Sequence, residues 1–181
     1  GQDAGNPTHV VSLGQIAHGS GFVGHAGGKL LVGEFVVVDG DDGMRSLVMY
    51  HRDGGTGVTL VKGEVGKNPF RPAISADGRY VAFSSPATNL VAGDTNGQWD
   101  VFVHDRTTGA TTRISVDSSG NQGDGNSWVP SISDDGRFVV FESRSTNFVT
   151  GDWWGTNDIF LHDRTTGFTT RASVDSAGDQ G

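Results

Sequence analysis

Two kinds of side chain in this sequence could do chemistry: closely spaced carboxylates, and tryptophans set among polar residues. Asp94-Thr95-Asn96-Gly97-Gln98-Trp99-Asp100 places oxygens at its first, third and seventh positions around a glycine. That is a loose echo of a calcium loop, although calcium takes about six to eight oxygen ligands. The related stretch Asp152-Trp153-Trp154-Gly155-Thr156-Asn157-Asp158 lacks the middle oxygen, and neither stretch supplies a bidentate Glu. Two readings stand for Asp94, Asn96 and Asp100. They hold calcium as a cofactor, or they hold turns through Asx bonds to their own backbone. Asp39-Gly40-Asp41-Asp42-Gly43 is a further oxygen cluster.

All four tryptophans, Trp99, Trp128, Trp153 and Trp154, fall in stretches expected to be long loops. An indole face stacks on a sugar ring while neighbouring Asp and Asn accept its hydroxyl protons. Trp99 and Trp128 are expected to fold back as loop core. Trp153 and Trp154 are adjacent, and adjacent side chains rarely both bury. The candidate ligand-binding set is therefore Trp153, Trp154, Asp152, Trp99, Asp94 and Asn96, for a glycan or a protein.

Other motifs fail on context. Gly19-Ser20-Gly21-Phe22-Val23-Gly24 matches the dinucleotide fingerprint in letters, but strand residues follow where a helix must begin. Gly54-Gly55-Thr56-Gly57 has no Lys-Ser/Thr after it to make a phosphate loop. His51, His104 and His162 share one phase of a repeat, so each sits on a different unit and is structural. With no cysteine, disulfides, thiolate zinc sites and a Cys nucleophile are excluded. No G-x-S-x-G elbow occurs, and no catalytic residue is identified. A net charge of −8 repels phosphate backbones and anionic lipid, so nucleic-acid and membrane partners are not expected. No apolar run is long enough to span a bilayer, and no basic segment followed by an apolar stretch marks a signal peptide.

The elements that must position these residues come from a repeat. Residues 72–123 and 130–181 align without a gap at an offset of 58, with 33 of 52 positions identical. A worn third copy lies upstream, with Gly28-Lys29-Leu30-Leu31-Val32 standing where Gly78-Arg79-Tyr80-Val81-Ala82 stands. Twenty-nine glycines among 181 residues argue against helices and for many tight turns. Each copy reads as four short strands. Residues 72–75 end at the Asp77-Gly78 turn, expected as a two-residue hairpin. Residues 80–83 and 101–103 are continuously apolar, as in strands covered on both faces. Residues 111–116 alternate, as in a half-exposed outer strand. An apolar middle grading to a polar edge describes a blade of an all-β propeller.

The pattern P-x-I-S-x-D-G-R-x-V-x-F-x-S, followed by G-D-x-x-G-x-x-D-x-F-x-H-D-R-x-T-G, resembles the Asp-Gly, WD40-like repeats of the TolB-like bacterial β-propellers. The resemblance is strong over 70–181 and weak over about 20–66. It implies blades at about 20–66, 70–123 and 128–181, with 8–13 as the outer strand of a preceding blade. It also implies an extracytoplasmic protein, periplasmic or secreted. Propellers close with about four to eight blades, so self-association or further blades are expected to complete the ring. The leading expectation is a non-catalytic binding or scaffold module with its ligand on the long-loop rim. The alternative is the propeller part of an exported hydrolase or polysaccharide lyase whose catalytic residues lie outside this chain.

Overall fold

The computed structural model describes residues 22–26, 29–39, 44–51, 58–65, 70–152 and 155–175; up to residue 70 only the backbone is described. Every regular element among them is a strand. The first sheet is β1 (Phe22–Ala26), β2 (Lys29–Asp39), β3 (Met44–His51) and β4 (Val58–Val65). The second is β5 (Phe70–Ile74), β6 (Tyr80–Ser85), β7 (Asp100–Asp105) and β8 (Thr111–Arg113). The third is β9 (Ser127–Ile132), β10 (Phe138–Ser143), β11 (Asp158–Asp163) and β12 (Thr169–Arg171). Each is a four-stranded antiparallel meander in chain order. The expected strand at 8–13 lies outside the described residues.

Burial explains why the middle strands read as apolar. In the second sheet Val81, Phe83 and Phe102 pack on one side with Ile74, Leu90 and Val91. Ala82, Val101, Val103 and Ile114 pack on the other side against Val139, Phe141 and Phe160 of the third sheet and Phe148 of its β10–β11 connection. Successive strand residues point to opposite faces, so two covered faces leave no polar positions. Phe141 and Phe160 of the third sheet stack on each other, and Phe148 of the β10–β11 connection stands edge-on to Phe160 at 5.1 Å between centroids.

Three expectations need correction. The Asp-Gly hairpin is wider than two residues: Ser75 N–H donates to Tyr80 O, leaving a four-residue loop, Ala76 to Arg79. Gly78 N–H closes a turn onto Ser75 O, and the Asp77 carboxylate accepts from Ser75 Oγ and Arg79 N–H. Gly78 and Gly136 do take positive φ, 71° and 72°. The outer strand ends at Arg113 rather than 116, because Ser115 Oγ turns inward to the Asp100 carboxylate at 2.5 Å and accepts from Val101 N–H. Trp128 lies in β9 and not in a loop, half-buried with the Arg144 guanidinium 5.6 Å from its ring.

Candidate binding rim

The four connections of a blade sort onto two edges. On the short edge, Arg106 donates its backbone N–H to Arg79 O and its Nη1 to Gly78 O at 2.6 Å, joining the β5–β6 and β7–β8 turns. Arg79 forks onto both oxygens of Asp105 at 3.0 and 2.7 Å, and Arg137 repeats this on Asp163. The paired guanidinium holds each of these carboxyls well below the usual range. The D-G-R and H-D-R segments of the repeat are thus two halves of one clasp.

On the opposite edge the long connections meet. Asn96 Nδ2 donates to Gly123 O and to Asp100 Oδ2, while its Oδ1 accepts from Gln98 N–H. Thr95 and Gln122 exchange two bonds, and Trp99 N–H donates to Asn126 Oδ1 at 2.8 Å. The loop after β6 is laced to the loop after β8. Asp124 then reaches forward to Thr146 N–H and Oγ1, which ties in the corresponding loop of the third sheet.

Beneath the rim lies a charge cluster. Asp100 is fully buried and Asp94 nearly so. Arg113 of β8 places Nη1 3.4 Å from Asp94 Oδ1 and 3.6 Å from Asp100 Oδ2, and bonds Gln122 Oε1 at 2.9 Å. Burial raises the Asp100 carboxyl above its ordinary value; Ser115 and Arg113 oppose that shift, and the Asp94 carboxylate adds to it. The next copy repeats the frame, with Arg171 Nη1 3.8 Å from Asp152 Oδ1 and Ser173 Oγ bonding Asp158 at 2.6 Å.

Asn96 bonds Asp100, and the cation that Asp94 and Asp100 both face is Arg113. Asn96 makes the Asx bond of the turn reading. Trp99 is half-buried at the rim. Asp152 is buried under the same loop position as Asp94. Trp153 and Trp154 lie outside the described residues. Sequence reasoning missed Arg113, Ser115 and Gln122, although each recurs 58 positions later as Arg171, Ser173 and Gln180. His104 and His162 take structural roles, each pairing Nδ1 with the first threonine of the next strand, Thr111 or Thr169. A cleft of about 450 Å3 of mixed lining, with Val91, Thr112, Arg113, Asp117, Ser118 and His162 among its walls, opens between β8 and the third sheet.

Repeated four-stranded antiparallel meanders packed face to face define a β-propeller module. Its architecture is that of the TolB-like propellers. TolB from Acinetobacter baumannii is similar at 19% identity and a TM-score of 0.52, over 81% of this chain and 30% of that one. A putative TolB from Agrobacterium tumefaciens is similar at 20% identity and 0.53, over 80% and 43%. The tricorn protease is similar at 15% identity and 0.50, over 90% and 13%. The chain spans less than half the length of each. No protein-family model matches the sequence, and no curated protein matches it.

Proposed function

We propose that this chain is a non-catalytic propeller module of an extracytoplasmic bacterial protein, binding a glycan or protein ligand on its long-loop rim. The carrying observation is a contrast between two copies of one loop. Asp94, Asp100, Arg113 and Ser115 recur unchanged as Asp152, Asp158, Arg171 and Ser173, while Thr95-Asn96 becomes Trp153-Trp154. A frame that already holds the loop has no need of two indoles, and a stacking surface has. A glycan fits best, because the laced loops around these positions carry exposed Asp124, Asn147 and Asn157 as hydroxyl partners. The alternative, a propeller within an exported hydrolase or lyase, rests on the resemblance alone.

The test is affinity electrophoresis through gels cast with single polysaccharides, comparing the chain with its Trp153→Ala/Trp154→Ala variant. The expected result is retardation that the variant loses while its Tm stays within about 2 °C. Loss of the fold in the variant makes the indoles loop core and overturns the reading. Unretarded migration on every polysaccharide, with capture of a protein that depends on both indoles, selects the protein ligand.

A further inference from the structure

We propose that the cleft between β8 and the third sheet is a second binding site, for a neutral sugar unit, keyed by the bare Nε2 of His162. The cleft offers about 450 Å3, within the range of about 300–1,000 Å3 usual for small-molecule sites. Its walls are held by bonds that cross between the sheets: Ser118 Oγ accepts from Thr169 N–H at 3.0 Å, and Thr169 Oγ1 donates to Val116 O at 2.6 Å. The second bond decides the tautomer of His162. A threonine hydroxyl has one proton, and that of Thr169 is committed to Val116 O. Its oxygen can then only accept from the imidazole 2.9 Å away, so Nδ1 carries the proton. Burial holds the ring's basicity below its ordinary value, so it is neutral at about pH 7 and Nε2 keeps a lone pair. Among the described residues Nε2 has no partner, and it is not sealed from solvent. His162 forms part of the cleft wall, which therefore presents an acceptor in need of a donor.

A second polar fitting has the opposite sense. Arg113 also lines the cleft, and its Nε–H is buried with no hydrogen-bond partner among the described residues. A ligand that serves both groups must donate and accept. An anion cannot donate to Nε2, and it meets the carboxylates of Asp94, Asp100 and Asp117 against a single guanidinium. A cation cannot accept from Arg113 and is repelled by it. Nor does Asp117 offer a cation open oxygens: they are bonded by Ser119 N–H, Asn121 N–H and Asn121 Nδ2. A hydroxyl donates and accepts at once. A pyranose sets hydroxyls around its edge, and its C–H faces suit the apolar wall of Val91, Ala92 and Val116. A neutral sugar meets each requirement. The site shares no residue with the indole pair on the rim and does not rest on that reading.

The test titrates the full chain with the methyl glycosides of glucose, galactose and mannose, with glucuronate and glucosamine as charged controls. Nitrogen NMR spectra of the imidazoles are expected to show His162 protonated at Nδ1 alone. The Nε2 resonance shifts on adding at least one methyl glycoside and stays put with both charged sugars. Ala92→Trp, at an exposed position of the wall, fills the cleft and abolishes the shift without lowering Tm. Affinity is read through the backbone amides of Gly120 and Gly167, which also line the cleft. His162→Asn keeps a donor for Thr169 but deletes the acceptor, and weakens binding at least about tenfold. His162→Gln, which returns an amide oxygen near the Nε2 position, weakens it less. The response persists in Trp153→Ala/Trp154→Ala, so it stands or falls apart from the rim. A proton on Nε2, or no shift with any methyl glycoside, overturns the proposal. So does an equal response to a charged sugar, a shift that survives Ala92→Trp, or one that the loss of the two indoles abolishes.

Discussion

The ring of Tyr80 in the second sheet lies directly on Gly136 in the first turn of the third, so closely that a Cβ on Gly136 would fall 2.1 Å from Tyr80 Cδ2. Gly136 also takes a φ of +72°, which penalises any side chain. Two costs therefore add at one position, backbone strain and collision with a ring already fixed between Arg79 and Arg164. Gly136→Ala is expected to destabilise by roughly 2–4 kcal/mol. Gly167→Ala, at φ +78° with open space around it, carries strain alone and is expected to cost about 1 kcal/mol. Urea denaturation of the two variants decides it: equal losses would mean that the blades do not meet at Tyr80.

Arg113 lies between two buried carboxylates, and removing it leaves them facing each other. Breaking a buried pair by deleting one partner costs roughly 3–5 kcal/mol, so Arg113→Gln is expected near the lower end because Gln122 and water partly compensate. Adding Asp100→Asn should recover part of the loss, since the carboxylate most burdened by burial is then gone. A double-mutant cycle measures this directly. Simple additivity would show that the guanidinium and Asp100 are energetically independent. Calcium provides a second readout: with Arg113 present the expected Tm shift on adding the ion is negligible, and a gain appears only in Arg113→Gln.

The blades were legible because strand, turn and repeat signals agreed. The 58-residue offset fixed the unit, and the apolar runs at 80–83 and 101–103 correctly implied two covered faces. The rim was legible only in part. Asp94, Asn96 and Asp100 were visible as a cluster because they are local in sequence, but Arg113 lies 13 positions beyond Asp100 and reaches it only through the pairing of β7 with β8. Charge neutralisation across strands leaves no spacing signature. The outer strand is shorter than its alternation predicts, because Ser115 fits the alternation while its hydroxyl bonds the Asp100 carboxylate in place of regular pairing. Comparing the two copies for what they share could have found Arg113, since Asp94, Asp100, Arg113 and Ser115 all recur 58 positions later.

Val129 is a strained residue without a packing reason. It is β-branched, holds φ +52° and is 39% exposed, and Arg71, 58 positions earlier, holds φ +51° at the matching place before a proline. Left-handed backbone is a genuine outlier for a β-branched residue and costs on the order of 1 kcal/mol or more. Asparagine tolerates that region, so Val129→Asn is expected to stabilise by about 1 kcal/mol, read as a rise of about 2–4 °C in Tm. An unchanged or lower Tm would show that Val129 is not left-handed or that its side chain is covered.

The histidines give the pH dependence a defined shape. Burial pushes the imidazoles of His104 and His162 below the ordinary value, against the opposing pull of Asp105 and Asp163 beside them. Above about pH 7 both are neutral whether the chain is folded or not, and they contribute nothing to the slope. As pH falls through about 6.5 the unfolded chain takes up two protons that the folded chain resists, so stability declines until the folded imidazoles titrate in turn. Asp105 and Asp163 act lower down: their depressed values stabilise above about pH 3.9, and that contribution is lost as pH falls further. Asp100, raised by burial, works in the opposite sense and gains as it protonates. The imidazole contribution is isolated by comparing the chain with His104→Gln/His162→Gln between pH 8 and 5, since the remaining histidines are common to both. The parent is expected to lose Tm more steeply than the variant over that range, so that any advantage it holds at pH 8 shrinks toward pH 5. Parallel curves would mean that these imidazoles are hydrated in the folded chain and that the threonine pairing at the head of β8 and β12 is not formed.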